Sequence, residues 1–190
     1  MSHRFSLRAI RPRSKALAQG CVGLVAVAML CSACLVPPYP KDPRFATFTY
    51  ETDESVKVQE RVDSFNGRIP KLGATEGHVV VARFRDGSWI PAPDYQYWLT
   101  GVATVPDTTT TLLVDNSADG SSLLPGIHPI LYKYVPEECS FTTVDPTVAN
   151  TILGTDQNDI YSEWGSFTIT AFAVSADCNL IIVTGDGINA

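Results

Sequence analysis

The sequence predicts an all-β fold: one antiparallel β-sandwich or barrel-like domain over residues 45–190, with one short helix, following an N-terminal signal or anchor helix. Three observations carry this. Past Arg44, short runs recur whose apolar residues alternate or are β-branched. Glycine and proline punctuate nearly every gap, at Asn66-Gly67, Pro91-Ala92-Pro93, Asp119-Gly120, Pro125-Gly126 and Asp186-Gly187. Only one segment carries a full set of helix boundary signals. Many short strands at such spacing suit a sandwich or a barrel.

In chain order, Phe45–Glu51 sets Phe48 and Tyr50 against Thr47 and Thr49, and Val56–Phe65 sets Val56, Val58 and Val62 against Lys57, Gln59 and Arg61. Period two of this sort belongs to a half-buried strand. His78–Phe84 is a β-branched run, and Arg85-Asp86-Gly87-Ser88 is a turn leading into Trp89-Ile90. Further expected strands are Tyr95–Thr104, Thr110–Asp115, Pro129–Val135, Cys139–Val144, Gly165–Val174 and Cys178–Thr184. The helix lies between the last two cysteines. Asp145 caps it, Pro146 takes the first position, Thr147–Leu153 continues it and Gly154 ends it.

Upstream, Arg4, Arg8, Arg11, Arg13 and Lys15 precede an uncharged apolar run closing on Leu30-Cys31-Ser32-Ala33-Cys34. Charged, apolar and small-residue regions in this order form a secretory signal. Ser32-Ala33-Cys34 resembles the lipobox of bacterial lipoproteins. The resemblance implies removal of residues 1–33, acylation of Cys34 as the mature N-terminus, and an extracytoplasmic domain held to a bacterial membrane. Ala16–Val36, 21 uncharged positions, is also close to the roughly 20 residues that span a bilayer, so an uncleaved helical anchor gives the same topology. Residues 34–44 contain Pro37, Pro38, Pro40 and Pro43 and read as an extended tether.

The chain from Cys34 holds nine Lys and Arg against 20 acidic residues, a net charge of −11. Eight of those bases lie at or before Arg85; beyond it Lys133 faces 13 acids. Such a field repels phosphate backbones and excludes nucleic acid as a partner class. It leaves an envelope protein or glycan as the expected partner, besides the membrane reached through Cys34. Of five cysteines, Cys21 and Cys31 leave with the signal, and Cys34 takes lipid. Cys139 and Cys178 remain as an even pair in an oxidising compartment and are expected to form a disulfide.

Catalytic signatures are scarce. The mature part has only His78 and His128, neither in a recognisable motif, and no cofactor motif occurs. The expected function is therefore non-enzymatic binding or assembly. The alternatives are an extracytoplasmic hydrolase of glycosidase or esterase type, or a calcium- or glycan-binding module. Asp115-Asn116-Ser117-Ala118-Asp119-Gly120 reads as an Asx-rich turn. Its alternating oxygens also resemble the opening of an EF-hand loop, with Ca²⁺ on Asp115, Ser117 and Asp119, but position twelve is Gly126 rather than Glu. Trp89, Tyr95, Tyr97 and Trp98 could form an aromatic platform, although alternation places Trp98 opposite the two tyrosines.

Overall fold

In the computed structural model of this chain, the structure describes residues 41–85, 94–117 and 123–189. The signal segment, Cys34, the Asp86-Gly87 turn, Trp89 and Asp119 lie outside the described residues. Six strands form one antiparallel sheet in the order β1-β2-β3-β6-β5-β4. They are β1 (Gln59–Glu60), β2 (Glu76–Arg83), β3 (Tyr95–Thr104), β4 (Thr142–Val144), β5 (Ser166–Ser175) and β6 (Leu180–Asn189). Among the described residues three α-helices accompany them: α1 (Asp63–Asn66), α2 (Asp107–Asp115) and α3 (Pro146–Leu153). The antiparallel, mostly β character matches the sequence expectation.

Both faces of the sheet are covered. On one, Val79, Tyr97, Leu99, Phe167, Ile169, Phe172, Ile181 and Val183 pack against Phe65, Leu113, Ala149 and Leu153 from the helices and their flanks. On the other, Val80, Ala82, Trp98, Val102 and Ile182 pack against Phe45, Phe48, Tyr50, Ile127 and Leu131 from extended and 3₁₀ chain. Alternation along β3 therefore buries both sets of side chains, as expected of a central strand with two dry faces. Glycines make the helical face flat. A Cβ on Gly77 or Gly101 would stand 2.4 or 2.5 Å from the Phe65 ring, and one on Gly187 would meet the Tyr97 ring at 2.6 Å. A bulge between Ile169 and Ala171 resets the parity of β5, so that Phe167 and Ile169 share a face with Phe172 and Val174.

Several expected strands take other forms. Thr110–Asp115 belongs to α2, because Pro106 opens the helix, its carbonyl accepting from Thr109 and Thr110, and Leu113 is fully buried. Tertiary burial overrides the β preference of threonine and valine here. Pro129–Val135 is largely a 3₁₀ helix, Pro129–Tyr134, whose entry is capped by His128 Nδ1 accepting from the Ile130 N–H. Val56–Phe65 keeps only two ladder residues before α1 begins. Phe45–Glu51 is extended chain with one parallel bridge, Phe45 to Leu124. Of Cys139–Val144 only the last three residues are strand. Asp186-Gly187, expected as a turn, lies inside β6, where Gly187 is required by the Tyr97 ring above it.

The helix at Asp145 forms as read. Asp145 Oδ1 accepts from the Thr147 N–H at 2.8 Å, Pro146 sits in the first turn and Gly154 ends α3 at φ 76°. Cys139 and Cys178 are disulfide-bonded, with Cα atoms 5.8 Å apart. The bond ties the approach to β4 to the β5–β6 turn. No helix among the described residues is long and apolar enough to cross a membrane.

Candidate functional site

The cleft with the densest chemistry opens where β1, β2, β3 and α1 meet. It has a volume of about 240 Å³, and its walls include Arg61, Arg68, Arg83, Tyr95, Tyr97 and Trp164. Three of the nine bases of the region from Cys34 onward thus converge on one concavity of an otherwise acidic protein.

Arg68 is its centre. Asn66-Gly67 carries the chain from α1 into the turn before Ile69, whose N–H donates to the Phe65 carbonyl at 2.8 Å. Ile69 and Phe65 anchor in the core, and Arg68 between them is left to face the cleft with 9% exposure. Its guanidinium lies 4.9 Å from the Tyr97 ring centroid and 4.9 Å from that of Trp164. Stacking against two aromatic faces offsets part of the cost of desolvating the cation. Nε donates to the Tyr97 hydroxyl at 3.2 Å and Nη1 to the Ser64 carbonyl at 3.1 Å. No carboxylate pairs with Arg68 among the described residues.

The surroundings hold this arrangement. The Tyr97 hydroxyl reaches the carbonyls of Trp164 at 3.1 Å and Ser166 at 3.0 Å. Burial raises its ionisation above the ordinary tyrosine value, so the hydroxyl stays protonated. Trp164 sits over Gly67, where a Cβ would stand 2.4 Å from the indole Nε1; only glycine leaves room for it. At the rim, Arg61 is bound to Asp63, and Arg83 lies 4.2 Å over the Tyr95 ring with Glu54 at 3.9 Å.

The sequence singled out neither Arg68 nor Trp164. A signal existed in the crowding of bases before Arg85, together with a lone arginine between the core residues Phe65 and Ile69. The aromatic group read from sequence divides: Tyr97 and Trp98 are buried on opposite faces, and Tyr95 stands partly exposed at the rim of the cleft. Asp115 ends α2, and the Ser117 hydroxyl donates to the Val114 carbonyl at 2.7 Å. No group of three metal-ligating side chains occurs among the described residues.

The histidines lie apart. His128 stacks on Trp98 at 6.2 Å and meets Phe48 edge-on at 5.3 Å, and burial lowers its ionisation from the ordinary 6.5. His78 stacks on Tyr134 at 3.6 Å, with Glu60 at 4.0 Å from Nδ1. Comparison with protein-family models, with curated proteins and with solved structures finds no match for this chain.

Proposed function

We propose that this chain is a non-enzymatic binding or assembly protein of a bacterial envelope, lipid-anchored through Cys34, and that its Arg68 cleft grips a carboxylate on its partner. The observation carrying this is a buried guanidinium 4.9 Å from each of two aromatic ring centroids, with no carboxylate partner among the described residues. An unpaired buried cation is costly, and a carboxylate entering the cleft removes that cost by accepting charge-assisted hydrogen bonds. The net charge of −11 from Cys34 onward disfavours polyanions, while Arg68, the cleft arginine without a carboxylate beside it among the described residues, suits a single acidic group. The sandwich read from the sequence is retained in this proposal, with the extended chain carrying Phe45, Phe48 and Tyr50 as the second layer over one sheet face.

N-acetylglutamate is a suitable probe, followed through the Trp164 indole N–H resonance. Arg68→Gln is expected to weaken binding at least about tenfold, the range for a lost hydrogen bond to a charged group, with the circular dichroism of the fold retained. Equal binding by wild type and Arg68→Gln would remove the cleft from the function.

A further inference from the structure

Most of the positive charge around the cleft is already matched. Arg61 is bound to Asp63, and Arg83 has Glu54 at 3.9 Å from Nε, with the Glu54 carboxylate also accepting from the Arg83 N–H at 3.3 Å. Arg68 is left over. Its Nε donates to Tyr97 and its Nη1 to Ser64, while Nη2 has no acceptor among the described residues. Ser64 also lines the cleft, with 2% exposure. The Ser64 N–H donates to Asp63 Oδ1 at 3.0 Å and its C=O accepts from Arg68 Nη1 at 3.1 Å, but its hydroxyl has no partner among the described residues. A buried hydroxyl without a hydrogen bond is costly, as is a buried cation without an anion. Two such groups side by side in one concavity point to a ligand that satisfies both.

Resting on the carboxylate-binding reading above, we propose that the cleft takes a lone carboxylate on an uncharged carrier, one oxygen on Arg68 Nη2 and the other on the Ser64 hydroxyl, and that Glu54 turns away ligands with a second negative charge. An ionised carboxylate only accepts hydrogen bonds, so a guanidinium N–H and a hydroxyl serve its two oxygens, and the ligand relieves both donors in return. Glu54 supplies the selectivity. It stands on the wall of a cavity of about 240 Å³, which is narrower than the roughly 8 Å over which physiological salt screens charge. A dicarboxylate or a phosphate dianion would bring its extra charge within that range of Glu54, with Arg61 and Arg83 already engaged. Placing a like charge against the wrong ligand is a general route to specificity. A chain terminus and an acidic side chain both present this chemistry.

The test uses the full mature protein, the Trp164 indole N–H resonance and three probes of one size. N-acetylglutamate carries two carboxylates, N-acetylglutamine only the α-carboxylate, and the α-amide of N-acetylglutamate only the γ-carboxylate. The better of the two monocarboxylates is expected to bind at least about threefold more tightly than N-acetylglutamate. Preference for the α-carboxylate marks a chain terminus, and preference for the γ-carboxylate a side chain. Glu54→Gln, which keeps an acceptor for the Arg83 N–H, should bring the dicarboxylate to within about twofold of the better monocarboxylate. Ser64→Ala should weaken that monocarboxylate at least about threefold, with the circular dichroism unchanged. If N-acetylglutamate binds as tightly as the better monocarboxylate and Arg68→Gln still weakens it, selection for one charge is wrong and the carboxylate site stands. Unchanged discrimination in Glu54→Gln would remove Glu54 from the selection, and unchanged binding in Ser64→Ala would remove the second donor. If no probe binds, or Arg68→Gln binds all three as the wild type does, both readings fail.

Discussion

The two buried cationic residue types of this protein are handled in opposite ways. Arg68 is received by two aromatic rings and two hydrogen-bond acceptors. His128 sits among Trp98 and Phe48, its backbone N–H donating to Thr100 Oγ1 at 3.3 Å, and desolvation holds the ring neutral below its ordinary 6.5. The unfolded chain then binds a proton that the folded chain refuses. Stability is fully present above 6.5 and falls as pH drops from there toward the lowered folded value. Asp186, whose carboxyl burial raises above 3.8, acts with the opposite sign, losing its contribution as pH rises. Comparing wild type with His128→Gln isolates the histidine. Urea titrations between about pH 5 and 7.5 should show a shallower pH slope in the variant, and identical slopes would show that His128 does not carry the effect.

At the scale of elements, legibility followed how local the determining physics was. α3 could be read because Asp145, Pro146 and Gly154 act within one or two turns. β3 could be read to the residue because it is apolar or aromatic along most of its length. Thr110–Asp115 and Pro129–Val135 could not, since their apolar residues fit a strand equally well and the decision came from where Leu113 and Leu131 found a core. The Arg68 cleft was hidden for the same reason: Arg68, Tyr97 and Trp164 come from three separate stretches and meet only in the fold. The Cys139–Cys178 bond, anticipated from an even count, spans 39 residues that include β4, α3 and β5. Replacing both cysteines by serine is expected to lower unfolding stability by about 2–4 kcal/mol, read from the urea midpoint at constant slope. A change under about 0.5 kcal/mol would show that the denatured chain gains little freedom when the link is lost.

For the whole molecule, the decisive question is attachment. Cys34 follows Ser32-Ala33 after an apolar run, and several acyl chains at about 0.8 kcal/mol per buried CH₂ would hold the protein firmly on a bilayer. Mass spectrometry of the membrane fraction should recover a lipid-modified peptide beginning at Cys34; an intact Met1 peptide from mature material would exclude lipid anchoring. Attachment at one end bears on how the sheet meets its neighbours. The four inner strands run eight to ten residues, whereas the outer ones, β1 and β4, have two and three. β4 stops at Val144, and Pro146 opens a helix two residues later. Long ladders can be copied from molecule to molecule, and that is how sheets grow into fibres. Here the outer strands are too brief to template a copy, and past β4 the side chain of Asn150 in α3 accepts from the Ile169 N–H and donates to its C=O on the β5 edge. A helix thus stands where the next strand of a fibre would have to begin.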